Sequence, residues 1–218
     1  INSLKENEVY APGYRDGEKV ALVRFPHEGI YQIPILTVNN KNKEGIDILG
    51  KTPKDAIAIN SKAANILSGA DFDGDTVMVI PTGSNGIDIK NKPMKGNPEL
   101  ESLMTFDTKM AYGGEKVIDS EGKEHWYRGG KEYKIMKNTQ NEMGKISNLI
   151  TDMTLKGAKD EELARATRHS MVVIDAEKHK LDYEQSFKDN RIMELKRKYQ
   201  GHIDPETGKE RYGAGTLI

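Results

Sequence analysis

The 218-residue chain contains no cysteine, which excludes disulfides, zinc–thiolate sites and cysteine nucleophiles. It also lacks any apolar run near the ~20 residues that a bilayer-spanning helix requires, and no signal peptide is visible at its start. Aromatic residues make up 6% of the chain and hydrophobic residues 36%, whereas charged residues reach 31%. These proportions are typical of a water-facing globular chain of one large or two small domains, with no membrane partner.

An excess of either charge is missing as well, because 33 basic and 34 acidic residues give a net charge of −1. A free-standing nucleic-acid-binding protein usually carries a basic excess. A catalytic fragment would tolerate this balance if the rest of its enzyme supplied the basic channel walls. The chain begins at Ile1 without methionine and ends in Leu217 and Ile218 after a glycine-rich stretch. We therefore expect further sequence on both sides.

Residues 1–85 are predicted to be β-rich, with one short serine-capped helix, and to form the first domain. The predicted strands are Lys19–Phe25, Ile30–Val38, Ala56–Asn60 and Thr76–Ile80, and the helix is Ser61–Leu67. Pro34 suggests a strand edge or a bulge.

Residues 86–137 are predicted to be a turn-rich insertion whose hairpin joins Lys116–Asp119 to Glu124–Arg128. Apolar spacings of three and four predict three helices over 138–200. These helices start near Met143, Asp160 and Glu184. Residues 201–218 are expected to be a polar tail, so the predicted fold class is α+β.

The strongest chemical signal is the hexapeptide Ala70-Asp71-Phe72-Asp73-Gly74-Asp75. Alternate side chains of an extended segment share one face, and a tight bend at Gly74 would draw all three carboxylates toward one point. Three unneutralised carboxylates repel each other, and a hard cation resolves that repulsion. Magnesium is the default cation at a phosphate-handling site, and manganese is a possible substitute.

This loop has four other interpretations. A calcium loop of the EF-hand type needs glycine at its sixth position and glutamate at its twelfth, where this chain has Thr76 and Thr82. A haloacid-dehalogenase-like phosphatase needs a buried strand before Asp71, and the preceding segment does not look like one. A solvated acidic turn and a non-catalytic metal-binding domain stay open.

The hexapeptide resembles the aspartate loop of two-barrel RNA polymerases, which share two double-psi β-barrels. The resemblance extends to the large subunit of the multisubunit enzymes, the silencing-type RNA-dependent enzymes and the single-chain phage enzymes. In this family one barrel carries the aspartates, and the other carries basic residues that contact nucleotide phosphates. The resemblance therefore implies a double-psi β-barrel over residues 1–85.

Other segments are similar to the same family. Val20–His27 looks like the strand that precedes the loop, in which an arginine, a proline and often a histidine recur. Met143–Asn148 and Leu163–Lys178 resemble helices of the silencing-type and phage enzymes. The multisubunit enzymes have an asparagine just before the loop that helps to sense the ribose, and Gly69 stands there in this chain. The second, basic barrel is not recognisable.

The resemblance implies template-directed RNA synthesis, with Asp71, Asp73 and Asp75 as catalytic metal ligands and Gly74 as the turn. One magnesium would activate the RNA 3′-hydroxyl, and a second, arriving with the triphosphate, would stabilise the pyrophosphate. The implied partners are nucleoside triphosphates, a DNA or RNA template, the RNA product and a second barrel from the missing chain or another subunit. The expected location is the cytoplasm of a bacterial or phage-infected cell.

Three further residues are candidates for substrate binding on the same resemblance. Arg24 would contact the ribose or a phosphate, or else be a surface arginine at a strand end. His169 and Lys178 would line the path of template and nucleotide, although a lone histidine on an amphipathic helix more often packs or faces solvent. The basic run Lys188–Lys198 could contact a nucleic-acid backbone, or be an ordinary solvated face.

Overall fold

The structure, a computed structural model, describes residues 1–25, 27, 29–67, 70, 75–83 and 96–214. The chain forms two compact units, Ile1–Asn97 and Pro98–Ile218. Both units combine helices with sheet, so the predicted α+β class is confirmed. The predicted hairpin, helical region and described tail all belong to the second unit.

The first unit contains a five-stranded mixed sheet in the order β4-β1-β3-β2-β5. The strands are β1 (Glu8–Tyr10), β2 (Lys19–Val23), β3 (Ile35–Val38), β4 (Ala58–Ile59) and β5 (Met78–Thr82). β1 and β3 run parallel, whereas the other neighbouring strands pair antiparallel. Four consecutive residues of β2, from Val20 to Val23, are buried, which explains its unbroken apolar sequence. The strands that the structure describes do not close into a barrel.

Two helices accompany this sheet, α1 (Lys43–Leu49) and α2 (Ser61–Ile66). Each begins after an asparagine whose side chain accepts a hydrogen bond from the first turn, Asn42 from Gly45 N and Asn60 from Lys62 N, both at 2.8 Å. Such caps satisfy backbone donors that the helix itself cannot. Apolar residues of α2 pack with the buried strand residues in one core that includes Val9, Val20, Leu22, Leu36, Val38, Ala63 and Leu67.

The second unit is mainly helical. Its helices are α3 (Pro98–Met104), α4 (Thr108–Tyr112), α5 (Thr139–Leu155), α6 (Asp160–His179), α7 (Tyr183–Asp189) and α8 (Ile192–Gln200). One core cluster joins α5, α6 and α8 through residues such as Ile146, Leu149, Met153, Leu163, Ile192 and Leu195. A second cluster packs α6 against Tyr112, Met136 and Leu181.

Two small sheets complete this unit. One consists of β6 (Glu115–Ile118), β7 (Glu124–Arg128) and β8 (Lys131–Tyr133), and the other pairs β9 (Gly201–Ile203) with β10 (Glu210–Tyr212). Gly129 and Gly130, with φ of 57° and 76°, form the two-residue turn from β7 to β8, a conformation that glycine adopts without strain.

His125 on β7 is held between two carboxylates. Its Nδ1 lies 2.6 Å from Glu132 Oε1 and its Nε2 lies 3.0 Å from Asp119 Oδ2. The hydrogen bond to Glu132 and then that to Asp119 raise the pKa of His125 above its ordinary value of 6.5, because both favour the imidazolium. The His125 ring therefore links the β6–β7 turn to β8.

Several elements differ from the sequence prediction. The third predicted helix is two helices, because Arg191 between α7 and α8 adopts a left-handed conformation with φ of 53°. The predicted strand Ile30–Val38 divides into a 3₁₀ turn, Ile30–Gln32, and β3. β3 starts just after Pro34 and lies inside the sheet, so of the edge or bulge predicted from Pro34 the edge is wrong. The described part of the predicted polar tail contains the β9–β10 hairpin.

Candidate functional site

The end of the β2–β5 pair brings together two residues that are 51 positions apart in the sequence. Val23 of β2 pairs with Met78 of β5, so Arg24 and Asp75 flank the same end of the pair. Arg24 Nε donates to Asp75 Oδ1 at 2.7 Å, and Arg24 Nη2 lies 2.6 Å from the same oxygen. The side chains are only 22% and 14% exposed, so solvent screens this ion pair less than it would a surface pair. Arg24 is thus the counter-ion of the last aspartate of the motif.

His27 follows Arg24 closely and is half-buried. Its Nδ1 is buried without a hydrogen-bond partner in the part of the chain that the structure describes. Burial lowers the pKa of His27, so its imidazole is neutral near pH 7. Its ring lies 5.1 Å from that of Phe25, which is 67% exposed. No role for His27 is predicted from the sequence, although the spacing Arg24-Phe25-Pro26-His27 is the signal that points to one.

Asp71, Asp73 and Gly74 lie outside the described residues, so their predicted roles as metal ligands and turn stay predictions. Among the described residues there is no group of three or more acidic or histidine side chains that could hold a metal ion. The donor set of the motif still fits magnesium, since carboxylate oxygens are its preferred protein ligands. Asp75 would enter such a set with its charge already partly neutralised by Arg24.

His169 is buried inside the second unit, with 5% of its surface exposed. Its Nδ1 lies 3.0 Å from Ser186 Oγ, and its ring packs edge-on against Phe187 at 5.6 Å. Burial lowers the pKa of His169 to about 4, so its imidazole is neutral near pH 7. These are the surroundings of a packing histidine, which is the alternative that the sequence also offers for His169.

Lys178 lies on the same helix but is exposed. It follows His169 by nine residues, which is about two and a half turns of α-helix and about 13 Å of rise. The two side chains therefore lie on opposite sides of α6, and they do not form one site with each other.

No family model matches the chain, and neither a curated protein nor a solved structure matches it. Within the part of the chain that is described, no helix has both the length and the apolar content needed to cross a bilayer.

We expect the chain to bind Mn²⁺ at the aspartate motif, because three carboxylates within five residues supply hard oxygen ligands. Asp73→Ala should weaken binding at least tenfold, measured by calorimetry or EPR. Arg24→Gln should tighten it, because the guanidinium and the cation compete for Asp75. The matched control is Asp47→Ala, which removes an exposed carboxylate of α1. Equal affinities for the wild type, Asp73→Ala and Asp47→Ala would place the cation elsewhere.

The histidines should titrate in a defined order in an NMR pH series. We expect the pKa of His125 to lie above 6.5 and the pKa values of His27 and His169 to lie below 6.5, with that of His169 at about 4. Because the folded-state pKa of His125 is raised, its stabilising effect is complete below its unfolded pKa of 6.5 and is lost as pH rises through the folded value. The stability difference between wild type and His125→Gln should therefore shrink with rising pH. A constant difference from pH 5 to 9 would contradict the two-carboxylate clamp.

Proposed function

We propose that this chain is the catalytic piece of a template-directed RNA polymerase of the two-barrel type. The observation that carries the proposal is the ion pair of Arg24 with Asp75. These residues belong to the two separate motifs on which the family resemblance rests, and the fold brings them to one end of the β2–β5 pair. The two motifs would have to lie together in this way to act on one nucleotide.

Asp71, Asp73 and Asp75 would hold magnesium, which when bound supplies the positive charge that acidifies an attacking 3′-hydroxyl and offsets charge on the phosphates. Arg24 orients Asp75 by placing two guanidinium nitrogens on one carboxylate oxygen. A nucleotide that reached this site would meet a fixed guanidinium, which suits a phosphate or a ribose hydroxyl. The neutral His27 lies three residues after Arg24 in the sequence and would offer a further hydrogen-bonding group.

The five-stranded sheet is proposed to be the described portion of a double-psi β-barrel. A partner barrel is proposed to supply the excess of basic residues that this chain lacks. Its net charge of −1 offers little attraction for a template or a triphosphate.

The test is primer extension with nucleoside triphosphates and magnesium, on DNA and RNA templates. The complete protein from which this chain derives should extend an RNA primer, and the isolated chain should not. The template that supports extension would also define the class of polymerase. Failure of the complete protein on both templates would remove the proposal, and robust extension by the isolated chain would contradict the need for a second barrel.

The rival phosphatase function has a simple discriminating assay. The described segment before the motif is the helix α2 and not a strand, which disfavours the nucleophile loop of that class. The isolated chain should therefore not hydrolyse p-nitrophenyl phosphate. Hydrolysis that Asp71→Asn abolishes, with Asp47→Asn as control, would favour the phosphatase instead.

A further inference from the structure

The ion pair of Arg24 with Asp75 is asymmetric, because two guanidinium nitrogens contact the same carboxylate oxygen. Arg24 Nε lies 2.7 Å and Arg24 Nη2 lies 2.6 Å from Asp75 Oδ1. An arginine that pairs as a fork instead donates one N–H group to each of the two carboxylate oxygens. Arg24 therefore treats the two oxygens of Asp75 differently and places two of its donors on Oδ1.

The surroundings of the pair hold this arrangement in place. Arg24 directly follows β2, in which the residues from Val20 to Val23 are buried, so the backbone before the arginine is anchored in the core. The two side chains are 22% and 14% exposed, and this partial burial weakens the competition of water and salt for the ion pair. The asymmetry therefore belongs to the folded end of the strand pair.

The asymmetry limits how Asp75 can bind a cation. An ionised carboxylate has about four lone-pair positions, two on each oxygen. Two N–H groups on Oδ1 take both positions of that oxygen, so a cation bound by Asp75 would meet Oδ2 alone. Asp75 would then be a one-oxygen ligand.

Magnesium and calcium respond differently to such a limit. Magnesium requires a nearly ideal octahedron of oxygens at about 2.0–2.1 Å, and single carboxylate oxygens satisfy it. Calcium takes about six to eight oxygens at about 2.3–2.6 Å, and it can take both oxygens of one carboxylate. The contact with Arg24 therefore costs calcium a ligand that magnesium does not need.

We infer that Arg24 sets the metal selectivity of the aspartate motif, because it restricts Asp75 to one-oxygen coordination and so favours Mg²⁺ over Ca²⁺. The inference rests on the magnesium site of the proposed function, but it does not depend on the transfer reaction. It gives Arg24 a positioning role toward the metal, separate from any contact with a nucleotide.

The first test is a competition measurement on the whole wild-type chain. Bound Mn²⁺ is followed by EPR while Mg²⁺ or Ca²⁺ is added. Ca²⁺ should displace Mn²⁺ no more effectively than Mg²⁺ does. A wild-type chain that binds Ca²⁺ more than about tenfold more tightly than Mg²⁺ would overturn the inference.

The second test compares the ratio of Ca²⁺ affinity to Mg²⁺ affinity in two variants. Arg24→Lys keeps the positive charge, but one ammonium group cannot place two nitrogens on one oxygen, so the ratio should rise at least about fivefold. Arg24→Gln removes the charge and should tighten the binding of both ions. Because both ions are divalent, the effect of charge cancels in the ratio, which should rise by a similar factor.

Arg15→Gln is the matched control, because Arg15 is exposed and lies beside Lys19 and Thr82 at the opposite end of the β2–β5 pair. It should leave the ratio unchanged. An unchanged ratio in both Arg24 variants, or an equal change in Arg15→Gln, would overturn the inference and leave the metal site standing.

The remaining outcomes separate this inference from the proposed function. The wild-type competition stays decisive if the Arg24 variants fail to fold. Absence of any Mn²⁺ binding to the wild-type chain would overturn the inference together with the magnesium site. Failure of the complete protein in primer extension, with the expected affinity ratios, would remove the polymerase activity and support the role of Arg24 in metal selectivity.

Discussion

In the complete protein, Asp73→Ala should lower the rate of RNA extension by at least about a thousandfold. The physical reason is that a bound metal contributes several kcal/mol of charge stabilisation in phosphoryl-type transfer, and each 1.36 kcal/mol corresponds to about a tenfold change in rate. The measurement is single-turnover primer extension at saturating magnesium. Asp47→Ala, an exposed aspartate on α1, should retain the wild-type rate.

The same substitution should leave the fold intact, which separates loss of chemistry from loss of structure. Without metal, three neighbouring carboxylates repel each other, so removing one leaves stability unchanged or slightly raised. A thermal melt in EDTA measures this. A marked loss of stability in Asp73→Ala would mean that the residue is structural. A wild-type extension rate in that variant would remove Asp73 from the catalytic set.

The largest stability effect is expected at Glu162, in the first turn of α6. Glu162 is buried and accepts hydrogen bonds from Lys198 Nζ and Tyr199 OH, both at 2.6 Å, and from the backbone of Lys159 at 3.2 Å. Burial by itself would raise the pKa of Glu162, but these bonds outweigh it and lower the pKa to about 2. Glu162→Ala should lower the free energy of unfolding by about 2–4 kcal/mol. The substitution leaves the buried Tyr199 hydroxyl without a hydrogen-bond partner and removes a charge-assisted hydrogen bond.

The fluorescence of Trp126 allows this loss of unfolding free energy to be measured in the second structural unit. Trp126 is the single tryptophan of the chain and lies on β7, so its fluorescence during urea unfolding reports on the second unit. Glu161→Ala is the matched control, because it removes an exposed acid from the same helical turn and should cost less than about 1 kcal/mol. Equal costs for the two variants would show that the helix N-terminus, and not the buried network, sets the effect.

The pH dependence of the Glu162 contribution has a definite sign. Its folded-state pKa is lowered from 4.5 to about 2, so its stabilising effect is complete above pH 4.5 and is lost as the pH falls toward 2. The stability difference between wild type and Glu162→Ala should therefore narrow in acid. A difference that widens between pH 5 and pH 2.5 would contradict the assigned hydrogen bonds.

Elements with strong local signals were predictable from the sequence. The apolar run of β2, the spacing of α5 and the hairpin of β6 and β7 all appear near their predicted positions. The short elements α1, α3, α4 and β1 were missed, because a few residues carry little periodicity and their stability comes from packing. The break between α7 and α8 was also missed, since the left-handed conformation of Arg191 has no signature in its residue type.

The sequence by itself determined the features that depend only on residues close together in the chain. The spacing of Asp71, Asp73 and Asp75 around Gly74 and the absence of cysteine need no fold to be stated. Only the tertiary structure decided that Arg24 pairs with Asp75 and that His169 is covered by Ser186 and Phe187. These partners are distant in the chain. A local pattern predicts which face of a helix or strand is buried, but it does not predict which residues pack against that face. The packing of distant elements decides this, because it determines which side chains are removed from water and which groups then form hydrogen bonds with them.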